Sequence, residues 1–294
     1  MEDLIKRIEF LESVVINLQH AADPFLLSGP ISFIRGIASE NHQYYGNLNS
    51  PMGLCFDSFG NLLVTEYRAN KVTVFSINQT NSHLAYEKIE SIEGFDHPSD
   101  VAVSPDGKIV VADTFNDCVK IFSRIEDKYV ETGSFGKKEL YDENEPYFKY
   151  PASVIVDKDG NYYVVDLGGI HKFSKDLKAH SFANRRGKAQ SIAVSKDGTL
   201  FYAKEDAVEV LHPNGSKSKI GKGWESDFVA LGGDNTIAVA SIALGKIRIY
   251  GLDGRFIKEI STSGSVICIS GMAIDKAGRI YLSDSCGDRI IVLS

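Results

Sequence analysis

The chain has 294 residues, 43% of them hydrophobic and 24% charged, the balance of an ordinary globular protein with apolar material for a large core. Its net charge of −7 and pI of about 5.6 exclude a general electrostatic pull on nucleic acid, so such binding needs a local basic patch. There is no run of 18 apolar residues, and acids stand at Glu2 and Asp3; neither a membrane-spanning helix nor a secretory leader is expected.

In chain order, the first predicted element is a helix over residues 1–23. Leu4, Ile8, Leu11, Val15 and Leu18 alternate spacings of four and three, a seam of roughly two and a half heptads. Two readings stay open. One is an amphipathic helix packed on the following domain or lying free of it. The other is the remnant of a longer coiled coil, through which residues 1–22 would self-associate. Pro24 ends the helix in either case. A β-rich segment follows over residues 31–37, Ile31-Ser32-Phe33-Ile34-Arg35-Gly36-Ile37.

Six copies of one pattern then occupy residues 51–75, 98–122, 151–173, 189–211, 226–250 and 269–293. Each copy has an apolar strand, a Gly/Asp turn, a second β-rich strand, an Asp-bearing turn and an alternating third strand. The residues closing the first strands are Asp57, Ser104, Asp157, Ser195, Gly232 and Asp275. They recur every 37 to 53 residues, the span of a four-stranded propeller blade. Gly60, Gly107, Gly160, Gly198 and Gly278 stand where a tight hairpin needs positive φ, and the fifth copy has Asp234-Asn235 there. The alternation of Lys71–Phe75 buries one side of a strand, whereas the continuous run Ile109–Ala112 fits a strand covered on both faces. An acid closes the second strand at Glu66, Asp113, Asp166 and Asp284, and Lys204 and Ser241 replace it in the other copies. Its expected job is to accept N–H groups of the next turn.

The proline, the core written xVAVD-xxGxIxVAD-xxNxxIxxF and the outer strand after it resemble NHL repeats over residues 31–294. They are similar to the C-terminal domain of tripartite-motif–NHL (RING/B-box/coiled-coil) proteins. The resemblance implies an all-β six-bladed propeller over 24–294 behind the short N-terminal helix. Residues 31–37 resemble the outer strand of such a blade. They are expected to complete the sixth blade, closing the ring and removing its open edges.

Chemistry is sparse in this sequence. Cys55, Cys118, Cys268 and Cys286 are scattered, with no C-x-x-C pair. They predict no disulfide framework, and a reducing cytoplasmic location is the expectation. Asn78-Gln79-Thr80 and Asn214-Gly215-Ser216 are then exposed turns only. The seven histidines lack the spacing of a RING or B-box zinc module, so ligase activity would belong to a part this chain lacks. Six-bladed propellers also include metal-dependent lyases and lactonase-like hydrolases. The inner strands here are apolar, and Asp57, Asp157 and Asp275 start Asp-x-x-Gly turns, so no catalytic residue, metal or cofactor is expected.

Binding is the better expectation. Loops between blades, and those between second and third strands, share one face. That face is expected to carry Tyr67, Arg68, Lys71 and Phe115, together with Arg185, Arg186 and Lys188, then Lys217, Lys219, Lys222 and Trp224. The second group flanks one blade and predicts a basic patch beside the only tryptophan. A protein partner is the first reading, as in substrate recognition by a tripartite-motif–NHL-like ubiquitin ligase. Single-stranded RNA, held by phosphate neutralisation and base stacking, is the alternative. The acid-rich loop holding Glu139, Asp142, Glu143 and Glu145 stands against RNA.

Overall fold

The computed structural model describes residues 42–45, 47–80, 83–126, 128–136, 147–184, 189, 191–262 and 268–293. The predicted helix over 1–23 and the segment 31–37 lie outside them. Strands β1 to β24 form six four-stranded antiparallel sheets. Blade 1 is β2 (Pro51–Phe56), β3 (Leu62–Glu66), β4 (Lys71–Thr80) and β5 (His83–Glu93). Blade 2 is β6 (Pro98–Val103), β7 (Ile109–Asp113), β8 (Cys118–Ile125) and β9 (Lys128–Phe135). Blade 3 is β10 (Ser153–Val156), β11 (Tyr162–Asp166), β12 (Gly169–Phe173) and β13 (Ala179–Asn184). Blade 4 is β14 (Ile192–Val194), β15 (Leu200–Lys204), β16 (Ala207–Leu211) and β17 (Lys217–Ile220). Blade 5 is β18 (Phe228–Leu231), β19 (Thr236–Ser241), β20 (Lys246–Gly251) and β21 (Phe256–Ser261).

Blade 6 joins both parts of the chain. Its inner strands are β22 (Ile269–Ile274), β23 (Ile280–Asp284) and β24 (Arg289–Leu293), and its outer strand is β1 (His42–Tyr45). The pairing runs from His42↔Leu293 to Tyr45↔Ile290. The segment 42–45 thus supplies the outer strand of blade 6, and the segment 31–37, expected in that place, lies outside the described residues. The short linker explains the placement. Leu48 is buried, and its N–H reaches the carbonyl of Asp288 at 3.3 Å, which draws the strand just before it onto β24.

The inner strands touch in cyclic order, β2 to β6, β10, β14, β18, β22 and back to β2. This makes the molecule a six-bladed propeller. Strands β3, β7, β11 and β23 are buried along their whole length. The pleat sends alternate side chains to opposite neighbours. Leu62 and Val64 pack with Tyr281 and Ile290 of blade 6, while Leu63 packs with Val101 and Val111 of blade 2. Each such side chain contributes about 1.5–3 kcal/mol by leaving water. An apolar residue on both faces is therefore required, and the alternation is lost.

On the opposite face, Asp57 accepts the N–H groups of Phe59 and Asn61 at 2.9 and 2.8 Å, and Asp157 and Asp275 repeat the arrangement. Asn235 takes φ 60° where the other copies have glycine. At the hub the blades approach closely. A Cβ on Gly271 would overlap the Met52 carbonyl, and one on Gly53 would overlap Asp100.

One cysteine expectation is overturned. Cys268 and Cys286 form a disulfide with Cα atoms 5.6 Å apart. Cys268 precedes β22 and Cys286 lies in the turn before β24, so the meander of one blade brings together residues 18 apart in sequence. Cys55 and Cys118 lie outside this disulfide. Burial pushes the Cys55 thiol well above its ordinary value, with Asp100 and Asp57 adding to the shift, so it is a poor nucleophile.

Candidate functional site

The acid closing the second strand does more than its sequence role suggested. It reaches back to the loop entering its own blade as well as forward to a turn. Glu66 accepts from Asn49 N–H at 2.9 Å, Asp113 from Asp96 at 2.6 Å, Asp166 from Lys149 at 2.9 Å and Asp284 from Cys268 at 3.0 Å. Each acid also meets a basic side chain on the third strand. The partners are Lys71 at 3.4 Å, Lys120 at 2.9 Å, His171 at 2.7 Å and Arg289 at 2.9 Å. These acids and their partners hold the loops that make one face of the ring.

A second device joins neighbouring blades on that face. Asn70, Asp117 and Asp288 end the turns between second and third strands in left-handed conformation, with φ 56°, 50° and 50°. Their side chains accept the N–H of His97, Tyr150 and Ser50 at 2.8, 2.8 and 2.7 Å. Those three residues are left-handed too, with φ 53°, 52° and 54°, and each precedes a proline, at Pro98, Pro151 and Pro51. Positive φ in a tyrosine or histidine costs on the order of 1–2 kcal/mol. The surrounding hydrogen bonds hold it.

These turns gather aromatic rings, with Phe115 exposed, Tyr67 and His97 half-buried and Tyr150 buried. His97 lies 4.7 Å from Tyr67 and 4.6 Å from Phe115 between ring centroids, and Phe115 lies 5.7 Å from Tyr150. The four rings bridge blades 1 to 3. Phe115 sits in a 3-10 turn, Thr114–Asn116, with 38% of its surface in solvent, and its N–H donates to the Asp96 carbonyl at 3.1 Å. Leu167, equally exposed, donates its N–H to the carbonyl of Lys149, the residue before Tyr150, at 3.1 Å. Burial, and then the charge of Asp96, push the Tyr67 phenol up to about 12, so it stays a hydrogen-bond donor. Asp96 meets His97 Nδ1 at 2.6 Å.

Tyr67, Arg68 and Phe115 therefore stand on the expected face, and His97 and Tyr150 join two of them. Sequence reasoning missed both additions. Their one signal was a large side chain directly before the proline that opens an inner strand. Lys71 begins β4 and is engaged by Glu66.

The expected basic patch is described only in part. Arg185, Arg186 and Lys188 lie outside the described residues. Lys217 and Lys219 were expected in a loop, but they lie on β17, the outer strand of blade 4. Lys219 there meets Asp206 at 3.2 Å and Glu209 at 4.0 Å. Trp224 is 5% exposed, packed among Phe201, Val229 and Tyr250. The Arg248 guanidinium lies 3.5 Å from its ring centroid and is itself held by Glu259 at 2.9 Å. That ring face is already covered. Lys222 is exposed in the loop between blades 4 and 5.

Near the axis, several polar side chains among the described residues are taken up by the fold. Ser99 donates to Pro151 O at 3.1 Å, Ser270 to Pro51 O at 2.7 Å, and Thr114 to Pro151 O at 2.9 Å. Asp100 accepts from Ser153 Oγ at 2.7 Å and Val154 N–H at 2.9 Å. Even so, desolvation pushes it up to about 6. Among the described residues no three of His, Cys, Asp and Glu are grouped to hold a metal ion, and no helix is long and apolar enough to cross a membrane.

Residues 95–122 match the NHL repeat. A curated mouse (Mus musculus) relative, NHL-repeat-containing protein 4, is 29% identical over 76 residues, which is 26% of this chain. The match spans about half of that relative's length, 52%. Among solved structures, a catalytically inactive virginiamycin B lyase from Staphylococcus aureus with quinupristin superposes at a TM-score of 0.61 and 12% identity. It covers 86% of this chain and 98% of that one. A gluconolactonase from Xanthomonas campestris gives a TM-score of 0.62 and 13% identity, covering 85% and 87%. At such identities the likeness is one of fold alone.

Proposed function

We propose that this six-bladed propeller with its NHL repeat is a non-catalytic binding module that docks a protein partner on the loop face of blades 1 to 3. The observation that carries the reading is the ring cluster of Tyr67, His97, Phe115 and Tyr150, with two of its members held on left-handed backbone. Strained residues persist where surrounding structure fixes them, and they concentrate at working sites. Rigid aromatic side chains with partly exposed faces are the usual anchors of protein interfaces. Exposed Leu167 is tied by its backbone to Lys149, next to Tyr150, and Arg68, Lys149, Asp96 and Asp117 give the cluster a mixed polar rim. In a tripartite-motif–NHL-like ubiquitin ligase, such a face would select the substrate.

A phosphate backbone needs an excess of cations, and the described surroundings of this cluster offer as many carboxylates as basic groups. Protein is therefore favoured over RNA. The test is a titration with a partner captured from extract and then purified. Phe115→Asp and Leu167→Asp should each weaken binding at least 10-fold, while Lys217→Glu on the outer strand should leave it unchanged. Salt-sensitive binding of single-stranded RNA that is lost on changing Arg185, Arg186 and Lys188 to Glu would support the alternative and sink this reading.

A further inference from the structure

We propose that the Cys268–Cys286 disulfide is a redox-sensitive clasp on the closure of the ring. Its place in the fold carries the argument. Cys286 lies in the turn joining β23 to β24, and the next residue but one, Asp288, is the latch of the junction between blades 6 and 1. Asp288 takes the Ser50 N–H on its carboxylate at 2.7 Å and the Leu48 N–H on its carbonyl at 3.3 Å. Residues 47–50 are the linker between β1, which closes the ring, and blade 1. The strand that follows the turn, β24, is the one β1 pairs with.

The other cysteine anchors this turn to the inner strand. Cys268 accepts the Ser285 N–H on its carbonyl at 3.1 Å and donates its own N–H to the buried Asp284 at 3.0 Å. The same carboxylate holds Gly287 N–H at 3.3 Å and Arg289 at 2.9 Å. Among the three left-handed latches, Asn70, Asp117 and Asp288, the one at the chain-closing junction alone carries a covalent brace. Both cysteines are partly exposed, so a thiol reductant can reach them.

The chemical step is thiol–disulfide exchange. A thiolate of a dithiol reductant attacks one protein sulfur, breaking the Cys268–Cys286 bond and forming a mixed disulfide. Its second thiol then releases the protein sulfur, leaving two cysteine thiols and an oxidised reductant. Freed of the brace, the 285–288 turn samples conformations in which Asp288 no longer meets Ser50 and Leu48. Local opening of this kind is read directly by hydrogen exchange.

The experiment compares amide exchange of the whole chain with and without dithiothreitol under native conditions. Reduction should speed exchange at Leu48, Ser50 and the β1–β24 pair at least 10-fold, while blades 3 and 4 stay unchanged. Cys286→Ser should reproduce the reduced pattern without reductant. In Asp288→Ala, which removes the carboxylate that holds Ser50 but keeps the carbonyl that holds Leu48, dithiothreitol should add little at Ser50 and should still speed exchange at Leu48. Three results would overturn the clasp: free thiols at both positions in protein purified in air, unchanged exchange at the junction, or acceleration spread evenly over all six blades.

Discussion

Blades 2 and 4 solve the same problem with different materials. In blade 2, Asp113 is fully buried and ties Asp96, Asn116 and Lys120 together, with Lys120 itself almost buried. In blade 4 the charges are exchanged: Lys204 stands at the end of the second strand and meets Glu209 on the third at 3.2 Å, both partly exposed. The loop-holding work passes to Ser226, whose hydroxyl donates to Lys204 O at 2.6 Å and accepts Lys204 N–H at 3.0 Å. The junctions differ in the same way. Blades 1 and 2 hand over through left-handed Asn70 and Asp117, each holding a residue before proline, whereas the passage from blade 4 to blade 5 turns on Gly221 and Gly223, φ 67° and 74°. The same geometry is thus reached either by a buried charge network or by hydroxyls and glycine.

The largest expected effect breaks the first arrangement. Asp113→Ala leaves the Lys120 ammonium buried without its carboxylate, which costs about 3–5 kcal/mol. Urea unfolding would measure it, and Asp113→Ala with Lys120→Met should recover much of the loss. Lys204→Ala should cost no more than about 1 kcal/mol, because its pair is open to water. Equal losses at the two positions would end the comparison.

A smaller effect sharpens the junctions. Asn70 pairs its own left-handed backbone with the His97 N–H. Asn70→Ala loses the acceptor and keeps the unfavourable φ, for a cost of about 1–2 kcal/mol. Asn70→Gly should cost less, since glycine adopts this φ freely. Thermal unfolding of both variants decides it; a glycine variant no more stable than the alanine one would show that strain is absent there.

These contrasts also show what sequence can reveal. The burial of Ile109–Ala112 on both faces was legible, because covered strands must be apolar throughout, and so were the Asp-x-x-Gly turns, fixed by local hydrogen bonds. The outer strand 42–45 of blade 6 was not legible, because a four-residue outer strand pairs through its backbone, so its sequence needs little pattern. Lys217–Lys219 read as a loop because both faces of an outer strand meet water and hydrophobic alternation vanishes. The cysteine pair was hidden because a hairpin, and not a short motif, brings residues 268 and 286 together. In the candidate site, Tyr67 and Phe115 stood out as aromatics in turns. His97 and Tyr150 did not, since nothing in a single sequence marks a residue before proline as left-handed.

The hub offers the mildest contrast between blades 2 and 4, because the position of Asp100 is filled by Ser191, which donates to Val229 O at 3.4 Å and brings no charge. Asp100 is held up to about 6 by desolvation, against an ordinary value of 3.8. A carboxyl raised on folding binds its proton more tightly in the native state. Its contribution is therefore most favourable below about pH 4, declines as pH rises from about 4 to 6, and stays constant above that. A rise of about two units corresponds to about 3 kcal/mol at most. Asp100→Asn removes the titration but also replaces an acceptor oxygen with a donor, so its absolute stability is a poor measure. The slope is the better one. Stability measured by urea at pH 4, 5, 6 and 7 should fall less steeply over pH 4–6 in the variant than in the parent, while Ser191→Ala leaves the slope as it is. If the Asp100→Asn variant keeps the parental slope, the titrating charge lies elsewhere, and the hub of blade 2 is electrostatically no different from that of blade 4.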